Sequence, residues 1–373
     1  MRRVLIVGPT PPPYHGVATF TRDLIERGPA SRFELHLDTS DRRDASNLGR
    51  WDLTNVRLGL VNTGQLLWRC ITPGVALVYV PISQNVPAFL RDALFVLCSR
   101  ALLRPVVLHL HGGYFRHVYD QEGGAFFQVA ATAALNAAGA VIVLADEFRA
   151  VFKGLVPDER VFVVENGVPD PGAWQLRIEP EAGSQRLETI LFMSALTRTK
   201  GILELIKAIG LLRQSRPQVR LKVAGAWREE ALRAEVENLI EHDKLGPYIS
   251  FVGEVSGAGK APFLAGGDVF CLPTRYPYEG QPLVILEAMA SGLPVLATQH
   301  GAIGSTVADG ITGKLVSKDA TPELLAQALN AMLADRTALR QYGEKARERY
   351  LARYTLGACH QRLFEVFERV AGG

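Results

Sequence analysis

Tyr276-Pro277-Tyr278-Glu279-Gly280-Gln281-Pro282-Leu283-Val284-Ile285-Leu286-Glu287-Ala288-Met289-Ala290-Ser291-Gly292-Leu293-Pro294-Val295 begins just after one short apolar run, Val269 to Leu272, and ends inside another, Pro294 to Ala297. Both runs are too short for helices and read as buried strands. Between them the chain turns at Gly280 and enters a helical pattern over Pro282 to Ala290, with Pro282 at the first helical position, where a missing N–H costs nothing. Strand, helix, strand in that order is a parallel crossover unit.

The alternation continues in both directions. Strands are expected at Thr189 to Met193, Arg220 to Ala224 and Ile249 to Val252, with helices over Gly201 to Gln214, Glu229 to His242 and Pro322 to Ala334. In the first half, strands are expected at Arg3 to Val7, Phe33 to Leu37, Ala76 to Val80, Val106 to Leu110, Ala140 to Leu144 and Val161 to Val164. Helices fill Val17 to Arg27, Ala88 to Leu103, Ala125 to Ala137 and the chain from Asp146 to Lys153. Pro169, Pro171, Gly172, Pro180 and Gly183, set among charges without periodicity, have the composition of a linker. The expectation is an α/β chain of two Rossmann-like doubly wound domains, residues 1–180 and 187–350, facing each other across a cleft. Glu344 to Val370 reads as one long charged helix, either a plain surface helix or one whose end, 355–373, packs back on the first domain.

Composition narrows the function. In the 373 residues, 41 Lys and Arg against 38 Asp and Glu leave a net charge of +3, too small for a nucleic-acid footprint. The four cysteines have no metal or redox spacing, which favours reduced thiols in a cytoplasmic protein. Met1-Arg2-Arg3 and Val4 to Val7 start like a signal peptide, but Gly8-Pro9 ends the apolar run, so it reads as a strand. Cys70 to Leu90 and Gly123 to Ala145 are uncharged enough to be tested as membrane spans, and internal Pro, Gly, Gln and Asn residues exclude both. The first strand runs into a proline loop, Gly8 to Pro13, rather than a dinucleotide fingerprint. Gly257-Ala258-Gly259-Lys260-Ala261 fails as a P-loop, with Glu254 and Ala261 at positions that need glycine and a hydroxyl. No Asp-x-Asp metal clamp and no histidine metal spacing occur, and His109 and His111, two apart at a strand end, are expected on opposite faces with His109 in the core.

The quoted stretch carries the chemistry. The free amides of Leu283 and Val284 at a helix start form an anion site. Glu279 and Glu287 stand beside it, and ionised carboxylates accept from hydroxyls, so sugar or ribose hydroxyls are their natural partners. The alternative, that Glu287 only pairs within its helix, stays open on the residue alone.

Glu279 to Val295, a Glu, seven residues, a second Glu, Ala-Met-Ala and Gly-x-Pro-Val, resembles the signature of the GT4 family of retaining glycosyltransferases with the GT-B fold. Leu191 to Gly201 is similar to the family's strand, loop and Lys-Gly element, Gly301 to Gly313 to its Gly-rich stretch, and Asn166-Gly167-Val168 to the segment before its linker. The resemblance implies that Glu287 accepts from the ribose, that Glu279 and His111 are catalytic beside the transferred sugar, and that Gly280, Gln281, Pro282, Leu283 and Val284 hold sugar and diphosphate. Lys200 then places a cation on the diphosphate, and Gly16 is the close-approach glycine beneath the phosphates. Where the family has an arginine, this chain has Ala195, and Arg198 is either its replacement or a solvated loop residue. Ser305 stands where the family often has a glutamate, and that role is not carried over. The nucleobase would lie near Phe251 to Val255.

The implied reaction takes a hexose or N-acetylhexosamine from a nucleotide-diphosphate sugar to a saccharide or polyprenyl-linked acceptor, with no metal and no further cofactor. Two alternatives remain: a sugar-nucleotide 2-epimerase of similar fold, which the Glu-x7-Glu segment opposes, and an inert partner subunit, slightly supported by Ala195 and Ser305 and opposed by Glu279, Glu287, Lys200 and His111. Between Leu53 and Tyr119 stand Arg57, Arg69, Arg91, Arg100, Arg104 and Arg116 against the single acid Asp92. On a helix over 88–104, Phe95, Val96, Leu102 and Leu103 share a half-circle with Arg91, Asp92 and Ser99, a face expected either on an anionic membrane or under a loop.

Overall fold

The computed structural model describes residues 3–12, 15–28, 35–40, 53–172 and 187–372. The chain divides into two compact units, Met1–Asn166 with Gly357–Gly373, and Gly167–Leu356.

In the first unit, β1 (Arg3–Gly8), β2 (Leu35–Asp38), β3 (Val75–Ile82), β4 (Val106–Leu110), β5 (Ala140–Val143) and β6 (Val161–Val163) form a parallel sheet in the order β2-β1-β3-β4-β5-β6. Consecutive residues of β3, Leu77, Val78 and Tyr79, are all buried, as a sheet covered on both faces requires. One core joins Val4, Ile6 and Tyr79 of this sheet to Phe20 and Leu24 of the Gly16–Arg27 helix and to Leu363 and Phe367 of the Leu356–Gly372 helix. Arg362 of that last helix donates to Glu165 at 2.8 Å.

The helices Leu53–Ile71, Val86–Ala101 and Gly124–Ala137 pack side by side. The first was not expected. Most of the face outlined for 88–104 turns inward: Phe95 and Val96 are buried, and so are Asp92 and Ser99, while Leu103 at its end is exposed. Asp92 accepts from the Ser83 amide at 2.8 Å and from Arg91, and Ser99 donates to the Phe95 carbonyl, so this side of the helix carries the polar bonds that let it face inward.

In the second unit, β7 (Glu188–Met193), β8 (Val219–Ala224), β9 (Ile249–Phe251), β10 (Val269–Leu272), β11 (Val295–Thr298) and β12 (Gly313–Val316) pair in parallel, in the order β12-β11-β10-β7-β8-β9. This is the doubly wound order whose switch point lies between the first strand and the fourth, here β7 and β10. The helices Ile202–Leu212, Leu283–Ala290 and Pro322–Ala334 supply Leu205, Ile209, Leu286, Met289 and Leu329 to its core. Strand β12 was not expected.

Three boundaries differ from the sequence reading. Asp146–Phe152 is a 3-10 helix. Glu344 to Val370 is two helices, Arg336–Arg353 and Leu356–Gly372. The break at Tyr354 and Thr355 has a cause: the Tyr354 carbonyl accepts from Val168, and the Leu356 amide donates to the Val168 carbonyl, each at 3.0 Å. The same contacts move the unit boundary from 180 to 166, because Tyr350 also donates to the Val168 carbonyl and Arg347 pairs with Asp170 at 2.8 Å. Phe33, Pro180 and Gly183 lie outside the described residues.

Candidate active site

The switch point of the second sheet brings two loops together. After β7, a 3-10 turn at Arg198–Lys200 leads into Gly201 at φ 79°, where an added Cβ would lie 2.2 Å from the Pro273 carbonyl oxygen. Only glycine permits that approach, and it sets Lys200 against the loop after β10. There Lys200 Nζ and Thr274 Oγ1 both donate to Glu279 Oε2, each at 2.7 Å. Glu279 is buried, yet its Oε1 has no donor among the described residues. Lys200 Nζ also lies 4.4 Å from the centre of the Tyr276 ring, a cation–π contact. Burial first, then the Glu279 and Tyr278 charges, raise the Tyr276 hydroxyl above its ordinary value, so it stays protonated beside the carboxylate. Gly301, at φ 54°, comes so near that a Cβ would stand 2.5 Å from the Glu279 carbonyl oxygen.

The helix that follows begins one residue later than expected. Pro282 is its cap, at φ −64° and ψ 119°, and Leu283–Ala290 are helical. The correction leaves the amides of Leu283 and Val284 in the first turn without acceptors among the described residues, the arrangement that receives anions. Gln281 turns away: it is buried and donates to Thr306 at 3.0 Å. Gly280 is buried and its carbonyl accepts from the Ala302 amide at 2.9 Å. One turn into the helix, Glu287 accepts from Lys260 Nζ at 2.7 Å. Arg198 is directed elsewhere, with its guanidinium on Glu235 at an exposed surface.

In the first unit, β1 leads to His15, whose ring accepts from the Ala18 amide and caps the Gly16–Arg27 helix. A Cβ on Gly16 would meet nothing within 4 Å among the described residues. His111 follows β4 and keeps part of its surface accessible. The expected opposition of His109 and His111 is corrected: their ring centres are 3.9 Å apart, because successive side chains of a strand alternate and residues two apart therefore share one face. His109 is fully buried, as expected for a core residue. Burial first, then the nearby His15, push His111 down to about 3, so its ring is neutral.

Residues 177–349 match the family described as Glycosyl transferases group 1. The alpha-maltose-1-phosphate synthase of Mycolicibacterium smegmatis is 30% identical over 274 residues, 68% of this chain and 69% of that one. The chain belongs to the group 1 glycosyltransferases. The phosphatidyl-myo-inositol mannosyltransferase of Mycobacterium leprae is 33% identical over 199 residues, and that match covers 51% of this glycosyltransferase and about half, 49%, of the relative. HepE of Anabaena, solved with UDP, superposes with a TM-score of 0.76 at 20% identity over 99% of this chain and 100% of that one, which shows the GT-B fold. The epimerase alternative finds no support in these matches.

Three residues of this glycosyltransferase went unread in the sequence. Thr274, five before Glu279, fixes the carboxylate, and nothing in its local pattern marks it. Lys260, in the stretch that fails as a P-loop, holds Glu287. Arg275 pairs with Glu204, and its amide donates to the Thr199 carbonyl at 2.8 Å, pinning the two loops that carry Lys200 and Glu279.

Proposed function

We propose that this glycosyltransferase moves a hexose or N-acetylhexosamine from a nucleotide-diphosphate sugar to a saccharide or lipid-linked saccharide, with retention and without a metal ion, in polysaccharide or glycolipid assembly on the cytoplasmic side of the membrane. The observation that carries the reading is the Lys200–Glu279 pair, fixed by Thr274 and set beside two open helix amides. A preorganised cation suits a departing diphosphate, whose charge grows as its bond to the anomeric carbon breaks. Glu279 accepts from a hydroxyl of the sugar and Glu287 from the ribose, while the neutral ring of His111 serves a sugar oxygen. In front-face substitution the departing diphosphate takes the acceptor's proton, so Glu279 stabilises and positions rather than attacks. The UDP and UDP-glucose complexes of HepE support a nucleotide-sugar donor.

Calorimetric titration with UDP, GDP and ADP in EDTA, followed by acceptor-free hydrolysis of the matching sugars, tests this. One nucleotide should bind without metal. Absence of binding to all of them would favour the inert-subunit reading, to which Ala195 lends support.

We also infer a peripheral contact with anionic lipid, moved from the buried side of 88–104 to its neighbour. Among the described residues, no helix is long and apolar enough to cross a membrane. Yet Leu53, Leu60, Trp68 and Ile71 are 89%, 64%, 67% and 63% exposed, and they follow one stripe of the Leu53–Ile71 helix. That helix and the two packed beside it hold a single acid, the buried Asp92, while Arg57 and Arg100 are exposed. An apolar face edged by exposed arginines suits an anionic bilayer surface.

A further inference from the structure

The first unit buries two polar side chains beside His111 to which the proposed reaction assigns no part. Tyr79 on β3 is fully buried, and its hydroxyl lies 2.8 Å from His109 Nδ1 and 3.3 Å from His111 Nε2. No other group bonds that hydroxyl among the described residues, so its one hydrogen must go to one of the two rings. His109 Nε2 is buried without a partner among the described residues. Each neutral imidazole carries one proton, and two arrangements follow. If Tyr79 donates to His109, the proton of His109 sits on Nε2 as an orphaned buried N–H. If His109 donates from Nδ1 to Tyr79, its Nε2 is only a bare lone pair, and Tyr79 donates onward to His111 Nε2. Orphaned buried N–H groups are the rarer defect, which favours the second direction.

That direction decides what His111 can do. With Nε2 accepting from Tyr79, the proton of His111 rests on Nδ1, which has no partner among the described residues. The ring is also clamped, by His109 at 3.9 Å between centres and by Phe20 at 4.7 Å. We infer that Tyr79 and His109 are positioning residues, and that the chain from His109 through Tyr79 holds His111 as an Nδ1–H donor, aimed at a sugar oxygen rather than exchanging protons with it. The donor role rests on the catalytic reading of His111. The tautomer does not.

Long-range nitrogen–proton correlation spectra of the full chain, with ¹⁵N-labelled histidine and no ligand, read the tautomer directly. Wild type should show His111 protonated at Nδ1 and His109 likewise. Tyr79→Phe, which removes only the hydroxyl, should move His111 toward the Nε2–H form. His109→Leu should do the same, whereas His109→Asn, whose amide reproduces the Nδ1–H donor, should restore the wild-type signal. In the donor-hydrolysis assay, Tyr79→Phe and His109→Leu should lose roughly tenfold in turnover with little change in nucleotide affinity, and His109→Asn should recover most of it. An Nε2–H His111 in wild type, or a tautomer indifferent to Tyr79→Phe and His109→Leu, overturns the inference. If His111→Ala left turnover intact while the tautomer shifts occurred as described, the catalytic reading would fall and the relay would stand.

Discussion

Two donors converge on one oxygen of Glu279, and that geometry separates the effects of removing each partner. Lys200→Ala deletes the only one of the two that carries charge, so turnover should fall on the order of a hundredfold, with a smaller loss of nucleotide affinity. Glu279→Gln keeps the shape of the side chain and should lower turnover more than it weakens nucleotide binding, whereas Glu287→Gln should act chiefly on binding. Transfer unchanged in Glu279→Gln would remove Glu279 from the mechanism. The histidines make a prediction about pH. His15, His109, His111 and His360 are all held below 6.5, with burial the leading cause in each. The unfolded chain therefore binds protons that the folded one refuses once the pH drops below 6.5, and stability present at neutral pH is lost as the pH falls from there toward about 3 for His111. Urea midpoints at pH 7 and pH 5 should show a drop in wild type and a smaller one in His109→Asn, which has one fewer such group.

Single elements hold the loops of the site through backbone contacts that a side chain would block. Gly301→Ala adds a Cβ 2.5 Å from the Glu279 carbonyl at a left-handed φ, and should cost about 1–3 kcal/mol while displacing the carboxylate loop. Gly310→Ala has a similar φ, 70°, with nothing within 4 Å, and should cost about 1 kcal/mol without loss of turnover. Comparing urea unfolding and donor hydrolysis for the pair separates strain from displacement. The Leu53–Ile71 helix presents its stripe outward, so Trp68→Asp should abolish sedimentation with phosphatidylglycerol vesicles and leave thermal stability within about 0.5 kcal/mol of wild type. Equal sedimentation of both proteins would place the lipid contact elsewhere.

At the scale of the whole molecule, the chain ends by completing the unit in which it began. Leu363, Phe364 and Phe367 enter the core that holds Val4, Ile6 and Tyr79. Burying each is worth roughly 1.5–3 kcal/mol, a sum comparable to the entire stability of a domain. Truncation after Thr355 should therefore leave the first unit susceptible to proteolysis while fragments of the second, with its own core, resist; equal resistance of the first unit would contradict this assignment.

The amino-acid order alone determined the period of each buried segment, and with it the two parallel sheets and the strand, turn and helix that carry Glu279 and Glu287. Those signals are local, since a strand buried on both faces and a capped helix write their burial into neighbouring residues. Lys200 and Glu279 were legible through the resemblance, but their shared oxygen and the part of Thr274 were not, because hydrogen-bond partners are chosen by strand order at a switch point. Tertiary structure alone turned Phe95 and Val96 inward and broke the final helix at Tyr354 to pair with Val168. Each of these outcomes depends on a residue far along the chain, and local propensity is silent about which distant group will satisfy a buried polar atom or cover an apolar one.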